Sequence, residues 1–203
     1  MYRPAAFAID DRAEIDAFVR AHPFATLAAA VDGQILLAYA PVVLDGDTVR
    51  FHLAANNPMA QAGDGARLRL SFLGAHAYIS PDWYATRTMV PTWNYSAVEG
   101  EGIAQRLDGD ALRRLLVDLS AAEEAHLAPK PPWTIDKVPA ERMAVLLKAI
   151  VGFSLRFETL EGKFKLSQNV KPEDFEGAVK GLEGRSEAQS IAVADAMRRA
   201  RRA

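Results

Sequence analysis

The sequence predicts a β-rich α+β protein: an antiparallel sheet of about six to eight short strands, closed as a small barrel, with helices on its periphery. Three observations carry that expectation. Apolar runs of strand length are joined by Asp32-Gly33 and Asp45-Gly46, dipeptides that favour tight hairpin turns. Helical periodicity is confined to separate stretches near the start, in the middle and at the end of the chain. No repeat, low-complexity stretch or long linker divides the 203 residues, a length that suits one domain and buries roughly 70% of the extended-chain surface. A single domain over 1–203 is therefore expected, its C-terminal helices 173–203 packed on the barrel or extending from it.

Asp11 with Glu14 three residues later has the form of a helix N-terminus, followed by Ile15, Phe18 and Val19 at helical spacing and ended by His22-Pro23. Phe24 to Val31, Ile35 to Leu44 and Thr48 to Ala55 then form a three-stranded meander. Asn56-Asn57-Pro58 interrupts it, and a short helix or loop runs to Gly65. Arg67 to Leu73 and Ala75 to Ser80 are expected as two short strands, with a turn over Pro81 to Tyr84. Val90 to Leu107 is extended, Gly100 and Gly102 marking a bulge or bend.

Asp108-Gly109 opens a helix with Leu112, Leu115, Leu116 and Leu119 on one stripe. After a Pro-rich connector ending at Trp133, Pro139 opens another helix, carrying Met143, Leu146, Leu147 and Ile150 and stopped by Gly152. Phe153 to Phe157 alternates as a strand, and Lys163 to Leu166 extends it or pairs beside it. Two helices close the chain: Glu173 to Leu182, and one begun by a capping box of Ser186 and Gln189.

Composition narrows the chemistry. Twenty-four Lys and Arg face 26 Asp and Glu, a net −2 that argues against an overall basic coat for nucleic acid. Cysteine is absent, which excludes disulfides, thiolate zinc sites and a cysteine nucleophile. No stretch approaches the ~18 apolar residues that cross a bilayer. The N-terminus lacks the basic-then-apolar layout of a signal peptide, so the cytoplasm is the expected location and no membrane partner is expected.

Familiar motifs are missing. There is no phosphate-binding Walker loop and no HExxH pair, and Gly100-Glu101-Gly102 does not open a helix. His22, His52, His76 and His126 show no metal-ligand spacing, so no metal is expected. Ser80 lacks the Gly-x-Ser-x-Gly elbow of a hydrolase nucleophile. The basic run from Met197 to Arg202 could meet phosphates, although arginines also suit a helix C-terminus.

One segment stands out. Residues 76–95 hold Tyr78, Trp83, Tyr84, Trp93 and Tyr95, five of the eight Trp and Tyr in the chain, interleaved with His76, Ser80, Thr92 and Asn94. Tyr and Trp pair an apolar face with one polar group, which suits the wall of a pocket or an interface. An aromatic corner, a dimer seam and a slot for a flat heteroaromatic ligand are all consistent with it. Lys163 and Lys165 share a strand face, with Ser167 two residues further on, an arrangement open to a phosphate.

At these residues the chain resembles the PaiB-type FMN-binding negative transcriptional regulators. The resemblance covers nearly the whole length, and is most specific at Gly74 to Tyr84 (GAHAYISPDWY), Val90 to Tyr95 (VPTWNY) and Leu160 to Asn169 (LEGKFKLSQN). It implies a split β-barrel related to the pyridoxamine-phosphate-oxidase-like flavoproteins, a homodimer, and FMN in a cleft at the subunit boundary. By position it implies His52, Asn56 and Asn57 near the cofactor phosphate, and Tyr78, Ser80, Trp83 and Tyr84 along the ring or ribityl chain. His76, Thr92, Trp93, Asn94, Tyr95, Lys165, Ser167 and Gln168 complete the implied cofactor-binding set.

Three positions depart from the family pattern: Ala75 replaces a proline, Phe51 replaces the glycine before His52, and Glu99 replaces a histidine after Val98. Phe51 and Glu99 are the ones expected to narrow the pocket or repel a phosphate, which would cost this chain its FMN. Three functions follow as alternatives. The chain is an FMN-binding regulator, a flavin-dependent oxidoreductase with Tyr78, Tyr84 or His76 as proton donor, or a cofactor-free dimeric binding module. Direct nucleic-acid binding is disfavoured, because neither a helix-turn-helix nor a basic recognition surface is legible.

Overall fold

The computed structural model describes residues 1–202; Ala203, the last residue of the expected C-terminal helical segment, lies outside them. Among the described residues the order is β1 (Ala8–Ile9), α1 (Arg12–Ala21), β2 (Phe24–Val31), β3 (Gln34–Asp45), β4 (Thr48–Ala54), α2 (Pro58–Ala62), β5 (Arg67–Ile79), β6 (Thr92–Arg106), α3 (Gly109–Ala125), α4 (Ala140–Lys148), β7 (Ile150–Arg156), β8 (Thr159–Lys165), α5 (Pro172–Gly184) and α6 (Ala188–Arg202). The eight strands form an antiparallel sheet, as the turn signals predict. The chain divides into two compact units. One holds Val19–Phe72 and Glu99–Leu160; the other holds Met1–Phe18, Leu73–Val98 and the chain from Glu161 onward.

The first unit is the barrel. Neighbours run β5-β2-β3-β4-β7-β6. The ring closes where Gly65 N–H donates to Ala104 O at 2.8 Å and Ala104 N–H to Ala66 O at 2.9 Å. Asp32 and Gly33 both have positive φ, 48° and 77°, in the two-residue turn that pairs Val31 with Gln34. Leu27, Val49, Phe51, Leu70, Phe72, Phe153 and Leu155 fill the interior, and the Phe51 and Phe153 rings stack at 5.6 Å. Phe51 therefore faces the barrel core and narrows no surface pocket. Glu99 meets Arg69 at 3.6 Å, so its charge is answered locally. The two departures expected to obstruct a cofactor are engaged elsewhere.

Several elements differ from expectation for long-range reasons. Gly100 and Gly102 form no bulge, since β6 alternates without interruption from Asn94 to Ala104. A Cβ on Gly102 would lie 2.1 Å from Arg156 O, and one on Gly100 would lie 2.5 Å from the Phe157 ring, so these glycines serve close approach. Ile150 and Gly152 belong to β7, not to the preceding helix, because α4 ends at Lys148. The two strands expected over Arg67 to Ser80 are the single β5.

The second unit carries β1-β8-β6-β5 in neighbouring order, with Ala8 opposite Lys163 and Ile9 opposite Gly162. Helix α1 starts as predicted, Asp11 Oδ1 accepting from Ala13 N–H at 2.8 Å and Glu14 N–H at 3.1 Å. The predicted Ser186–Gln189 capping box does not form. Ser186 has φ 56° and donates its N–H to Glu183 O, closing α5, while Gln189 accepts from His76 N–H. α5 and α6 then pack against each other, and Leu182, Val193 and Met197 are all buried.

Candidate functional site

In the second unit, β6 buries Asn94, Ser96 and Val98 and turns Trp93 and Tyr95 to the other face. The alternation in β5 changes phase at Ala75-His76: Gly74 is buried, then Ala77 and Ile79. That slip turns His76 and Tyr78 outward. The Trp93 ring lies 6.2 Å from His76 and 6.3 Å, edge-on, from Tyr78. Trp93 is 53% exposed, which for an indole flanked by a phenol and an imidazole leaves an apolar face open to a planar guest.

β8 brings lysines to this face. Phe164 is buried against Phe18, ring centroids 5.0 Å apart, and alternation places Lys163 and Lys165 on the other side. Lys165 Nζ donates to Thr92 Oγ1, and Lys163 Nζ sits 5.3 Å from the ring centroids of both Tyr2 and Tyr95. Among the described residues neither ammonium has a carboxylate partner, whereas Glu161 on the same strand takes the N-terminal amine at 2.9 Å. Two cations two residues apart, held by a hydroxyl and by π-faces, are ready for an anion. The donor set therefore fits a phosphorylated flat molecule.

The remaining expected residues in this unit have other partners. Asn94 is fully buried, its amide donating to Ser167 Oγ at 2.8 Å and lying 3.4 Å from Met197 Sδ. Ser167 does not continue the lysine face: it follows the end of β8 with φ 61°, which turns its hydroxyl inward to Asn94 Oδ1 at 3.2 Å. Tyr84 is buried and shares that hydroxyl; burial pushes its phenol above the ordinary range, with the Ser167 hydrogen bond opposing. Gln168, in the turn after β8, folds back on the end of that strand, accepting from Leu166 N–H at 2.7 Å and donating to Phe164 O. Ser80 caps a single turn over Pro81–Trp83, accepting from Asp82 N–H at 3.3 Å.

Trp83 rests on α5, where a Cβ on Gly181 would lie 2.1 Å from its indole and one on Gly177 would lie 2.0 Å from its carbonyl oxygen. Asp174, in the first turn of α5, was not singled out by the sequence. Its carboxylate accepts from Thr86 N–H and Thr86 Oγ1, both at 2.8 Å. The backbone donor at Thr86 is the largest influence holding its pKa below the ordinary aspartate value. A depressed carboxylate stabilises the fold above its unfolded pKa and loses that contribution as pH falls through the folded one. The stability difference between wild type and Asp174→Asn is thus expected to be largest at pH 7 and to shrink below about pH 4. Urea denaturation at pH 7 and pH 3 checks this, and an unchanged difference contradicts it.

His52, Asn56 and Asn57 lie in the barrel unit. Asn57 caps α2, accepting from Met59 N–H at 2.9 Å, and Asn56 is exposed. His52 lies on β4, on the face turned away from the barrel core, and lines a hollow with Leu116 and Leu119 of α3. Burial lowers its pKa, favouring neutral imidazole, and its Nδ1 is sealed without a hydrogen-bond partner. The basic C-terminal run is partly engaged: Arg198 pairs with Glu183, and the Arg201 guanidinium lies 4.3 Å from the Phe175 ring centroid. No group of side chains among the described residues has the makings of a metal site. Nor, among them, is any helix long and apolar enough to cross a membrane.

The family described as "Putative FMN-binding domain" matches residues 1–159. The chain is 31% identical over 202 residues to the protease synthase and sporulation protein PAI 2 of Bacillus subtilis, covering 97% of this chain and 96% of that protein. The structure of an FAD and heme binding protein from Mycobacterium smegmatis superposes with a TM-score of 0.60 at 18% identity, over 86% of this chain and 79% of the other. The flavocytochrome Anf3 from Azotobacter vinelandii gives 0.59 at 18% identity, over 84% and 74%. These structural likenesses show the split-barrel fold that the resemblance implied. β8 and the C-terminal helices lie almost wholly beyond the family match.

Proposed function

The chain belongs to the FMN-binding domain family, with FMN as its cofactor, and from that premise we propose that the flavin rests on the outward face of β5, β6 and β8. The observation that carries this reading is the pair of ammonium groups, Lys163 and Lys165, without carboxylate partners among the described residues and held by Tyr95 and Thr92 of the strand that also carries the half-exposed indole of Trp93. Lys165, steadied by Thr92, and Lys163 hold the phosphate, and Trp93 meets the ring, flanked by Tyr78 and His76. Bound FMN supplies redox chemistry, while the protein orients it and limits its contact with water. The visible spectrum of the purified protein, before and after FMN addition, tests the reading. Saturable uptake that Trp93→Ala weakens at least tenfold supports it. A protein that takes up no FMN, or a variant of unchanged affinity, refutes it.

The proposal includes a homodimer with the cofactor cleft at the subunit boundary. β3 supports it: Ala38, Ala40 and Val42 face the core, yet Ile35, Leu37 and Tyr39 on the opposite face are 77%, 59% and 61% exposed. An exposed apolar row of that kind along the first half of a strand marks an interaction surface. In a two-fold dimer every substitution enters the interface twice. Leu37→Glu is therefore expected to raise the dimer dissociation constant by about a hundredfold or more, as loss of a central anchor does. Sedimentation velocity at micromolar concentration reads the shift from dimer to monomer, and an unmoved dimer contradicts it.

For biological role we propose regulation, on the likeness to PAI 2, through a small molecule or protein partner and within the cytoplasm. The net charge of −2 and the engagement of Arg198 and Arg201 by α5 weigh against direct DNA contact. A mobility-shift titration against promoter DNA at several salt concentrations separates the two routes. A sequence-specific complex overturns the indirect one.

A further inference from the structure

A second concave site lies within the barrel unit, unrelated to the strand face just described. The connector after α3 folds back so that Trp133 stands against that helix. Its backbone N–H donates to Glu124 Oε2 at 2.7 Å, and Lys130 pairs with the same carboxylate, which both contacts hold below the usual range. On one side of Trp133 opens a hollow of about 420 Å³ walled by Val117, Ala121, Ala125, Pro132 and Ile135. On the other side a hollow of about 320 Å³ reaches His52, Leu116 and Leu119. Ser120 and Trp133 line both hollows.

Volumes of this order, mainly apolar walls and few polar groups describe a small-molecule site. The charged groups at its rim answer one another: Arg113 meets Asp136 at 3.4 Å, and Glu124 holds Lys130. Glu123 at the rim of the smaller hollow disfavours anions. With Nδ1 of His52 sealed and unpartnered, a proton there would be a buried orphan donor, which is rare and costly. The proton belongs on Nε2, which is then a donor to the hollow.

We propose that the two hollows flanking Trp133 form one binding site for a neutral, flat, mainly apolar small molecule whose hydrogen-bond acceptor meets Nε2 of His52. Ser120 cannot compete for that acceptor, because its hydroxyl already donates to Leu116 O at 2.8 Å. A ligand carrying a carboxylate meets Glu123 and no unpaired cation.

Coumarin, a neutral bicycle with one lactone carbonyl, is the probe, titrated by calorimetry into the full chain. Saturable one-to-one binding is expected. Ala121→Trp is expected to weaken it at least tenfold, because the indole occupies the larger hollow; Ala121 is exposed on α3, so the core is undisturbed. His52→Phe is expected to weaken it several-fold, and coumarin-3-carboxylate to bind more weakly than coumarin. FMN uptake, measured in parallel, should be unchanged in Ala121→Trp. Absence of saturable coumarin binding overturns the proposal, as does equal affinity in an Ala121→Trp protein of native circular dichroism. Tighter binding of the carboxylate overturns the assignment to neutral ligands. None of these outcomes bears on the flavin face.

Discussion

Replacing Lys163 and Lys165 together by alanine lowers FMN affinity by about a hundredfold or more. A hydrogen bond to a charged group contributes about 1.5–3 kcal/mol, and each 1.4 kcal/mol is tenfold in affinity. Both side chains are half-buried on the outward face of β8, one on Thr92 Oγ1 and one on two aromatic rings. Neither supports the core, so the double variant is expected to melt close to wild type. Riboflavin, which lacks the phosphate, separates the contributions: its affinity should change far less than that of FMN. Equal losses for the two ligands would mean that the lysines do not meet the phosphate. The wild-type FMN affinity should also fall with added salt, as exposed charge pairing does.

Gly177→Ala destabilises the protein by about 2 kcal/mol, against the usual gain of about 1 kcal/mol for alanine over glycine in a helix. The reason is local. A Cβ at Gly177 would stand 2.0 Å from the carbonyl oxygen of Trp83, a backbone atom that cannot swing aside. The turn over Pro81–Trp83 would have to lift from α5, while Thr86 remains bound to Asp174 in the same helix. For a chain of this length the expected fall in Tm is roughly 4–8 °C. Gly184→Ala is the matched control, since nothing lies within 4 Å of a Cβ there and no loss is expected. If both variants melt alike, the seat of Trp83 on α5 is not tight.

The parts of the fold legible in the sequence are those that local chemistry decides. Asp32-Gly33 dictates a turn with two positive φ values, and Asp11 caps α1 with its own side chain. Misread elements depend on distant partners. Gly100 and Gly102 look like bulge residues until Phe157 and Arg156 are placed against them. Ser186 and Gln189 look like a capping box until Gln189 is drawn to His76 N–H, 113 residues away.

The candidate site divides in the same way. Residue type alone marked out Trp93, Tyr78, His76 and Lys165, and period-two alternation predicted that Lys163 and Lys165 share a face. Nothing in the sequence showed the phase change at Ala75-His76 that turns His76 and Tyr78 outward, or the positive φ that sends Ser167 inward to Asn94. Asp174 has no local signature, since its partners at Thr86 are 88 residues away. The seat of Trp83 did leave one: Gly177 and Gly181 stand one turn apart on α5, a spacing that presents a flat helix face to a ring.

The most direct test uses the indole itself. Excite the tryptophans of wild type and of Trp93→Phe while titrating FMN, and record emission with flavin absorbance in parallel. Flavin seated on the face of β5, β6 and β8 quenches Trp93, so wild type should lose a saturable component of its emission that Trp93→Phe lacks. Identical quenching in the two proteins, with FMN visibly bound to both, would place the flavin elsewhere and contradict the account.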